Sequence, residues 1–167
     1  VPQPGSEFDE SFGDGAAAFL IGSDGVIAEV EDVSSYSHEI YDVWRADTDV
    51  FPRSAEDRFT AEEGYIKAMG EAASAVMKRN NLKPGGFAAL VCYAPNPRRQ
   101  MEICRALGFD DKTQLAASFF GQVGDTGSAF VPMMLVARLE QAKLGDRILV
   151  IGYGEGSDAL LVRVKSV

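Results

Sequence analysis

The chain has 167 residues, 46% of them hydrophobic and 25% charged, which suits one globular domain with a core of its own. Its formal net charge is −9 at pH 7, so nucleic acid and anionic membrane surfaces, which bind clustered Lys and Arg, are not expected as partners. The chain has two cysteines and one histidine, so neither a disulfide framework nor a metal site is expected, and a reducing cytoplasm is the predicted location. It has no apolar run of the ~20 residues that span a membrane, so no membrane helix is expected.

Both ends of the sequence resemble segments from the middle of a longer chain. The first residue is Val1 rather than Met, and residues 1–15 open with prolines and polar side chains, as a connecting loop does. At the other end, residues 159–164 (ALLVRV) have the pattern of a strand that no closing helix follows. We therefore expect a fragment or a processed chain.

The first third of the chain predicts strands and an irregular excursion. Residues 16–22 (AAAFLIG) are a short apolar run between glycines, and residues 25–35 alternate as a strand bordering a sheet does. The turn signal between them allows either a hairpin or a passage between two sheets. Residues 36–59 have no sustained period and mix aromatic with acidic side chains, which predicts an ordered lid or interface segment.

The clearest helix signal begins at Thr60, which with Glu63 has the pattern of a capping box. The helix should end near Asn80, because Lys78 and Arg79 complement the dipole of its last turn. The apolar positions that recur at helical spacing are Ile66, Met69, Ala73, Val76 and Met77.

A buried strand and a capped helix follow. Residues 87–94 are continuously apolar, as in a parallel-sheet strand that is covered on both faces. Asn96 should cap the next helix, with Pro97 in its first turn and Gly108 just past its end. Residues 111–121 predict a further short helix.

The last part of the sequence predicts one apolar helix and two strands. A glycine-rich turn at residues 123–129 leads into a helix that closes at Gly145 and is apolar almost all round, as a helix buried on every side is. Residues 147–156 and 159–164 predict strands joined by a glycine loop. This order of elements implies an α/β domain with a mixed sheet and helices on its faces.

Three loops could carry chemistry, and each has a plain structural alternative. Residues 93–97 (YAPNP) could be only a strand end and a helix cap, and residues 152–157 (GYGEGS) only a tight turn. Residues 123–129 (VGDTGSA) could be a flexible turn, although the start of the following helix leaves backbone N–H groups for an acyl or phosphate oxygen.

Taken in order, these loops and their flanking segments resemble one family. The segments are FGDGAAAFLIG (12–22), DVWR (42–45), FPRSAEDRF (51–59), YAPNPRRQMEICRALGF (93–109), VGDTGSA (123–129) and GDRILVIGYGEGSDALLVRV (145–164). They resemble the C-terminal half of thiolase-superfamily condensing enzymes, nearest to the archaeal and bacterial 3-hydroxy-3-methylglutaryl-CoA (HMG-CoA) synthase-like branch.

The resemblance implies a five-layer α-β-α-β-α fold built from two similar halves, of which this chain supplies one. Residues 1–24 would hold the last strand of the N-terminal half and the connection, and residues 25–167 the C-terminal thiolase-like domain. The family nucleophile is a cysteine in the other half. By contrast, Cys92 and Cys104 have the pattern of buried structural thiols, and His38 that of a surface or packing residue.

Two departures from the family pattern fall on the candidate catalytic residues Tyr93, Asn96 and Asp125. Tyr93 stands where the family has its catalytic histidine, and a phenol, which stays protonated at neutral pH, donates hydrogen bonds but is a poor general base. Asp125 stands where the type III ketoacyl synthases have an asparagine, and its carboxylate would repel an oxyanion unless it were protonated or used as an acid or base.

The function that the resemblance implies is carbon–carbon bond formation or thiolysis on acyl-CoA, with a nucleophilic cysteine on a segment that this sequence lacks. Acyl-CoA would be a substrate, and neither a cofactor nor a metal is expected. The predicted substrate-binding residues are Arg98, Arg99, Gly124, Thr126, Gly154 and Gly156. The alternative is a non-catalytic thiolase-like scaffold or acyl-CoA-binding subunit.

The expected partners follow from the same resemblance. They are a complementary N-terminal half, further copies in a homo- or hetero-oligomer, and a zinc-ribbon/OB-fold acyl-CoA-binding subunit. Acyl-CoA is favoured over acyl carrier protein, because carrier proteins are acidic and prefer basic docking surfaces. Alone, the chain should be inactive.

Overall fold

The structure is a computed structural model that describes residues 2–166. The strands are Ala28–Ser37 (β1), Val43–Trp44 (β2), Arg53–Ser54 (β3), Ala89–Cys92 (β4), Arg147–Gly154 (β5) and Gly156–Val164 (β6). The α-helices are Glu7–Ser11 (α1), Asp57–Phe59 (α2), Lys67–Arg79 (α3), Pro97–Ala106 (α4), Phe120–Val123 (α5) and Phe130–Leu139 (α6). Among these residues no helix is both long enough and apolar enough to cross a membrane.

The main sheet is mixed, as the sequence predicts. Its strands lie in the order β1-β6-β5-β4, and β2 and β3 form a separate small hairpin. The β1/β6 and β6/β5 pairs are antiparallel, whereas β5 and β4 are parallel, with Val91 opposite Val150. The carboxyl ends of β4 and β5 therefore meet at one edge of the sheet, where α/β proteins commonly bind ligands.

Strand β4 is buried on both faces because its alternate side chains enter two different cores. Leu90 and Cys92 pack into the core that α3 and α4 share with the sheet. Ala89 and Val91 pack into the core on the opposite face, which α6 covers. The continuously apolar run of the sequence is thus explained by two helical layers.

The helix that was predicted from Thr60 begins three residues earlier and has a different cap. The Glu56 carboxylate accepts hydrogen bonds from the backbone N–H groups of Arg58 and Phe59, at 3.1 and 2.7 Å. Thr60 instead donates its hydroxyl to backbone carbonyls of the preceding turn. The predicted capping box of Thr60 with Glu63 is therefore wrong, because Glu56 already satisfies the free N–H groups.

Helix α2, the π-helical segment Thr60–Ile66 and α3 follow one another without interruption from Asp57 to Arg79. The C-terminal end agrees with the prediction: Asn80 is the C-cap, and Asn81 has a positive φ of 51°. A π-helical stretch of this kind changes which side chains face the sheet.

The predicted short helix at residues 111–121 is wrong for most of its length. Leu115 forms a parallel bridge with Leu90, and the Leu90 N–H and carbonyl bond to Gln114 and Ala116 at 2.8 and 2.9 Å. This segment therefore extends the sheet beside β4, and only α5 is helical. The open edge of β4 outweighs the local helical pattern, because an unpaired buried strand edge is costly.

Within the described chain α6 is covered on one side only, so its predicted burial on every side, which needs another chain, stays a prediction. Phe130, Val131 and Met134 pack against the sheet, but Val136 on the same helix is 37% exposed. Within this chain α6 is therefore covered on its sheet side and partly open on the other.

Candidate active site

Three polar side chains meet at the carboxyl ends of β4 and β5. Tyr93 directly follows β4 and continues its pairing, since its N–H donates to the carbonyl of Ile151 at 3.0 Å. Tyr153 lies near the end of β5, and the Tyr93 and Tyr153 rings stack with centroids 6.3 Å apart. Asp125 comes from the glycine-rich turn before α6. Parallel pairing of β4 with β5 brings these residues to one edge.

The Tyr93 hydroxyl donates a hydrogen bond to Asp125 Oδ2 at 2.8 Å. The other carboxylate oxygen, Oδ1, accepts from the backbone N–H of Gly127, also at 2.8 Å. Asp125 is 9% exposed, so the pair is largely shielded from water. The two candidate catalytic residues at which the sequence is expected to depart from the family pattern are therefore in direct contact.

The backbone of Asp125 is held by the N-terminal arm, residues 11–13. The Asp125 N–H donates to the Ser11 carbonyl at 2.7 Å, and the Gly13 N–H donates to the Asp125 carbonyl at 2.8 Å. Gly124 has a φ of 72°, and a Cβ there would lie 2.6 Å from the Ser11 carbonyl oxygen. Only glycine suits this conformation and this close approach.

Tyr65, which the sequence analysis did not select, supports the site from the π-helical segment. Its hydroxyl donates to the backbone carbonyl of Tyr93 at 2.7 Å, and its ring meets that of Tyr153 edge-on with centroids 5.4 Å apart. Asp42, from the segment after β1, was also missed. The sequence does contain a signal for Tyr65: it lies one helical turn before Met69, so it places a hydroxyl group on the apolar face of the predicted helix.

The electrostatics keep the phenols protonated. Burial, then the charge of Asp125 and the hydrogen bond to it, raise the pKa of Tyr93 above its ordinary value. Burial raises the pKa of Tyr153 to about 12, with a smaller contribution from the charge of Asp42. The pKa of Asp42 is itself raised, first by burial and to a lesser degree by the charge of Asp125. The site can therefore accept a proton at a carboxylate but not at a phenol at neutral pH.

Asn96 and the adjacent arginines serve helix α4 in this structure. Asn96 Oδ1 accepts from the Arg99 N–H at 3.0 Å, which is the predicted cap. The Arg99 guanidinium bonds to Asp57 and Glu102, both at 2.7 Å, whereas Arg98 is exposed. The catalytic role of Asn96 and the substrate-binding roles of the arginines stay predictions.

Two of the predicted substrate-binding glycines flank the turn between β5 and β6: Gly154 is the last residue of β5 and Gly156 the first of β6. Gly156 has a φ of 123°, and a Cβ there would lie 2.2 Å from the Tyr36 carbonyl oxygen on β1, which explains why glycine is needed. Gly154 is exposed opposite it. Thr126 Oγ1 lies 3.9 Å from Met133 Sδ. Their predicted contact with substrate stays a prediction, as does that of Gly124.

Both cysteines are buried in the core under α3 and α4. Burial raises the pKa of Cys92 well above its ordinary value and that of Cys104 to about 11, so neither is a reactive thiolate at neutral pH. His38 packs beside Tyr36, with ring centroids 5.8 Å apart, and borders an open depression of about 480 Å³ together with Glu56.

Residues 77–164, which include Tyr93, Asp125 and Tyr153, match the model of the 3-oxoacyl-[acyl-carrier-protein (ACP)] synthase III C-terminal domain. The chain belongs to this family. A hydroxymethylglutaryl-CoA synthase from Methanopyrus kandleri is 34% identical over 154 residues, which are 92% of this chain and 44% of that protein. The chain thus spans about half the length of the curated relatives that it matches.

The solved structures that resemble this domain establish its fold. A 3-oxoacyl-[acyl-carrier-protein] synthase III from Aquifex aeolicus superposes with a TM-score of 0.71 at 18% identity, covering 84% of this chain and 46% of the other. An HMG-CoA synthase in complex with CoA gives a TM-score of 0.67 at 20% identity, covering 86% of this chain and 41% of the other. The fold is that of the C-terminal half of thiolase-like condensing enzymes, as the sequence motifs predict.

Proposed function

We propose that this chain is the C-terminal half of an acyl-CoA condensing enzyme of the HMG-CoA synthase-like type. The observation that carries the proposal is the meeting of Tyr93, Asp125 and Tyr153 at the carboxyl ends of β4 and β5. Family membership supports it, because the curated relatives that match most of this chain are HMG-CoA synthases.

The nucleophile of the proposed enzyme lies on another segment. Cys92 and Cys104 are both fully buried, and burial raises both pKa values, so neither can attack a thioester. A complementary half would supply a cysteine that becomes acylated. The enolate of a second acyl-CoA would then attack the acyl group, or the reverse thiolysis would occur.

The remaining partners are also proposals. The substrate is acyl-CoA rather than an acyl carrier protein, since the chain carries a net charge of −9 and carrier proteins are acidic. A homo- or hetero-oligomer that includes the complementary half, and a zinc-ribbon/OB-fold acyl-CoA-binding subunit, would complete a cytoplasmic assembly.

A second candidate is a non-catalytic scaffold that keeps the thiolase-like fold. One observation favours it: the Tyr93 hydroxyl donates its hydrogen bond to Asp125, at the position where the sequence resemblance places the family's catalytic histidine. A site whose polar groups bond to one another can bind an acyl-CoA without transforming it.

Turnover by the co-purified assembly separates these candidates. A tagged chain isolated from its source should carry a complementary polypeptide, identified by mass spectrometry, and the assembly should bind acetyl-CoA by calorimetry and show condensing or thiolytic turnover. In an enzyme, Tyr93→Phe and Asp125→Asn should each reduce turnover by about 10- to 1000-fold. In a scaffold the assembly binds acetyl-CoA without turnover.

Asp24→Asn is a matched control for Asp125→Asn. Asp24 precedes the start of β1, where Ala28 pairs with Val164. The candidate site lies at the other end of this strand, where Ser37 pairs with Gly156. Its substitution should leave turnover unchanged. Absence of a partner chain, or of acetyl-CoA binding by the assembly, would refute the proposed function.

A further inference from the structure

Every polar atom of Asp125, in its backbone and in its carboxylate, forms a hydrogen bond. Gly127 N–H and Tyr93 O–H each donate to one carboxylate oxygen at 2.8 Å. The backbone N–H and carbonyl of Asp125 bond to Ser11 and Gly13 at 2.7 and 2.8 Å. A group fixed in this way does not have to reorient when it reacts, which is the condition for efficient proton transfer.

The carboxylate still has the capacity to accept a proton from a ligand. A carboxylate offers roughly four acceptor positions on its two oxygens, and the described contacts of Asp125 use one on each oxygen. The residue retains 9% exposure, so it is shielded but not closed off.

Tyr93 cannot take this role and instead orients the carboxylate. Its hydroxyl is the donor to Asp125, and its backbone N–H and carbonyl bond to Ile151 and Tyr65. Its ring is held between Phe130, edge-on at 6.2 Å, and Tyr153, stacked at 6.3 Å. A phenol with so many fixed contacts has little freedom to rotate away from Asp125.

We infer that Asp125 is the proton acceptor for the α-carbon of an acyl thioester and that Tyr93 is its positioning residue; this inference rests on the proposed function. The α-carbon's C–H bond breaks, its electron pair moves to the thioester carbonyl oxygen to form an enolate, and the proton is bound by the carboxylate. The negative charge passes from Asp125 to the enolate oxygen, so the total charge of the buried site does not change. A carboxylate beside a developing oxyanion is thus tolerated, because it is neutralised in the same step.

The experiment is α-hydrogen exchange, measured by NMR as deuterium incorporation into acetyl-CoA in D₂O by the purified assembly. Asp125→Asn should lower the exchange rate by at least about 100-fold while acetyl-CoA binding, measured by calorimetry, stays within about twofold. Asp125→Glu, which keeps the carboxylate but displaces it, should retain an intermediate rate. Asp24→Asn should exchange at the unaltered rate.

Tyr93→Phe tests the positioning role through the difference between the exchange rate and acetyl-CoA binding. Without the hydrogen bond from Tyr93, the Asp125 carboxylate is less well fixed, so the maximal exchange rate should fall by about 10-fold. Acetyl-CoA binding, measured by calorimetry, should stay within about twofold of the unaltered protein. A merely structural role would weaken acetyl-CoA binding together with the exchange rate.

The outcomes of these measurements distinguish failure of the inference about Asp125 from failure of the proposed function. Acetyl-CoA binding without any exchange, or exchange by Asp125→Asn at the unaltered rate, would overturn the inference and leave the proposed function standing. An assembly that binds no acetyl-CoA would refute the proposed function, and the inference with it.

Discussion

The phenols of Tyr65 and Tyr153 touch each other but differ in what their hydroxyl groups do. Tyr65 donates to the backbone carbonyl of Tyr93 at 2.7 Å. The buried hydroxyl of Tyr153 has no hydrogen-bond partner among the described residues. A buried hydroxyl without a partner contributes desolvation cost but no bond.

This difference predicts that removing each hydroxyl has a different effect on stability. Tyr65→Phe should lower the free energy of unfolding by about 1–2 kcal/mol, because the Tyr93 carbonyl loses a donor. Tyr153→Phe should leave it unchanged or raise it slightly. Urea denaturation of both variants measures the contrast, and equal destabilisation would show that the Tyr153 hydroxyl is bonded in solution.

The same phenols predict loss of stability at alkaline pH. Burial raises the pKa of Tyr65 and of Tyr93, and that of Tyr153 to about 12, whereas in an unfolded chain tyrosine ionises at about pH 10. Because the folded state keeps these protons at higher pH, their stabilising effect is complete below about pH 10 and is lost as the pH rises through the folded-state pKa values. For Tyr65, which is 3% exposed, the free energy of unfolding should fall by about 1.4 kcal/mol per pH unit above about pH 10.

Urea unfolding between about pH 8 and about pH 12 tests this expectation. Tyr153→Phe should reduce the slope above about pH 10, because one titrating group is removed. A slope that is identical in this variant would show that the Tyr153 phenol ionises normally in the folded protein.

At the scale of elements, the continuous helix from Asp57 to Arg79 carries two glycines with different surroundings. A Cβ on Gly64, in the π-helical segment, would lie 2.8 Å from the Tyr153 hydroxyl oxygen and 3.3 Å from Ile40 Cγ2. A Cβ on Gly70, in α3, would meet nothing within 4 Å. Gly64 therefore allows the helix to approach the candidate site closely.

Alanine at these positions should act in opposite directions. Gly70→Ala should raise the free energy of unfolding by up to about 1 kcal/mol, the usual gain in helix propensity. Gly64→Ala should lower it by about 1–3 kcal/mol, because the rigid Tyr153 ring must move. Adding Tyr153→Phe to Gly64→Ala should recover part of the loss in a thermal or urea melt, and no recovery would mean that the hydroxyl is not the obstacle.

At the scale of the whole molecule, the apolar run at residues 16–22 is solvent-exposed and belongs to no strand in the described chain. Leu20 and Ile21 are 101% and 87% exposed, and Phe19 is 45% exposed. Val30 and Val33 on β1 add further exposed apolar surface. Apolar patches beyond a few hundred Å² are seldom left uncovered on soluble monomers.

We therefore expect this 18.0 kDa chain to self-associate or to bind a complementary chain rather than to remain a monodisperse monomer. Light scattering over a concentration series measures the mass directly. Leu20→Ser with Ile21→Ser should shift the distribution toward the monomer. A single 18.0 kDa species for the unaltered chain would contradict the expectation.

The amino-acid sequence by itself determined the elements whose signals are local. The continuous apolar run at residues 87–94 specified β4, and Asn96 with Pro97 and Gly108 specified both ends of α4, because capping and strand burial depend on residues close in the chain. The order of the motifs also predicted the family, and the order of the elements predicted the mixed sheet. The local pattern was wrong at residues 111–121, where it predicted a helix.

Only the tertiary structure decided how the candidate site is assembled. Tyr93 and Asp125 are 32 residues apart, and they meet where the parallel pair β4/β5 ends and residues 11–13 dock against the glycine turn. Tyr65 and Tyr153 join them through packing that no periodicity encodes. Such contacts depend on the balance between loop closure and burial over the whole chain, which a local pattern of residues does not contain.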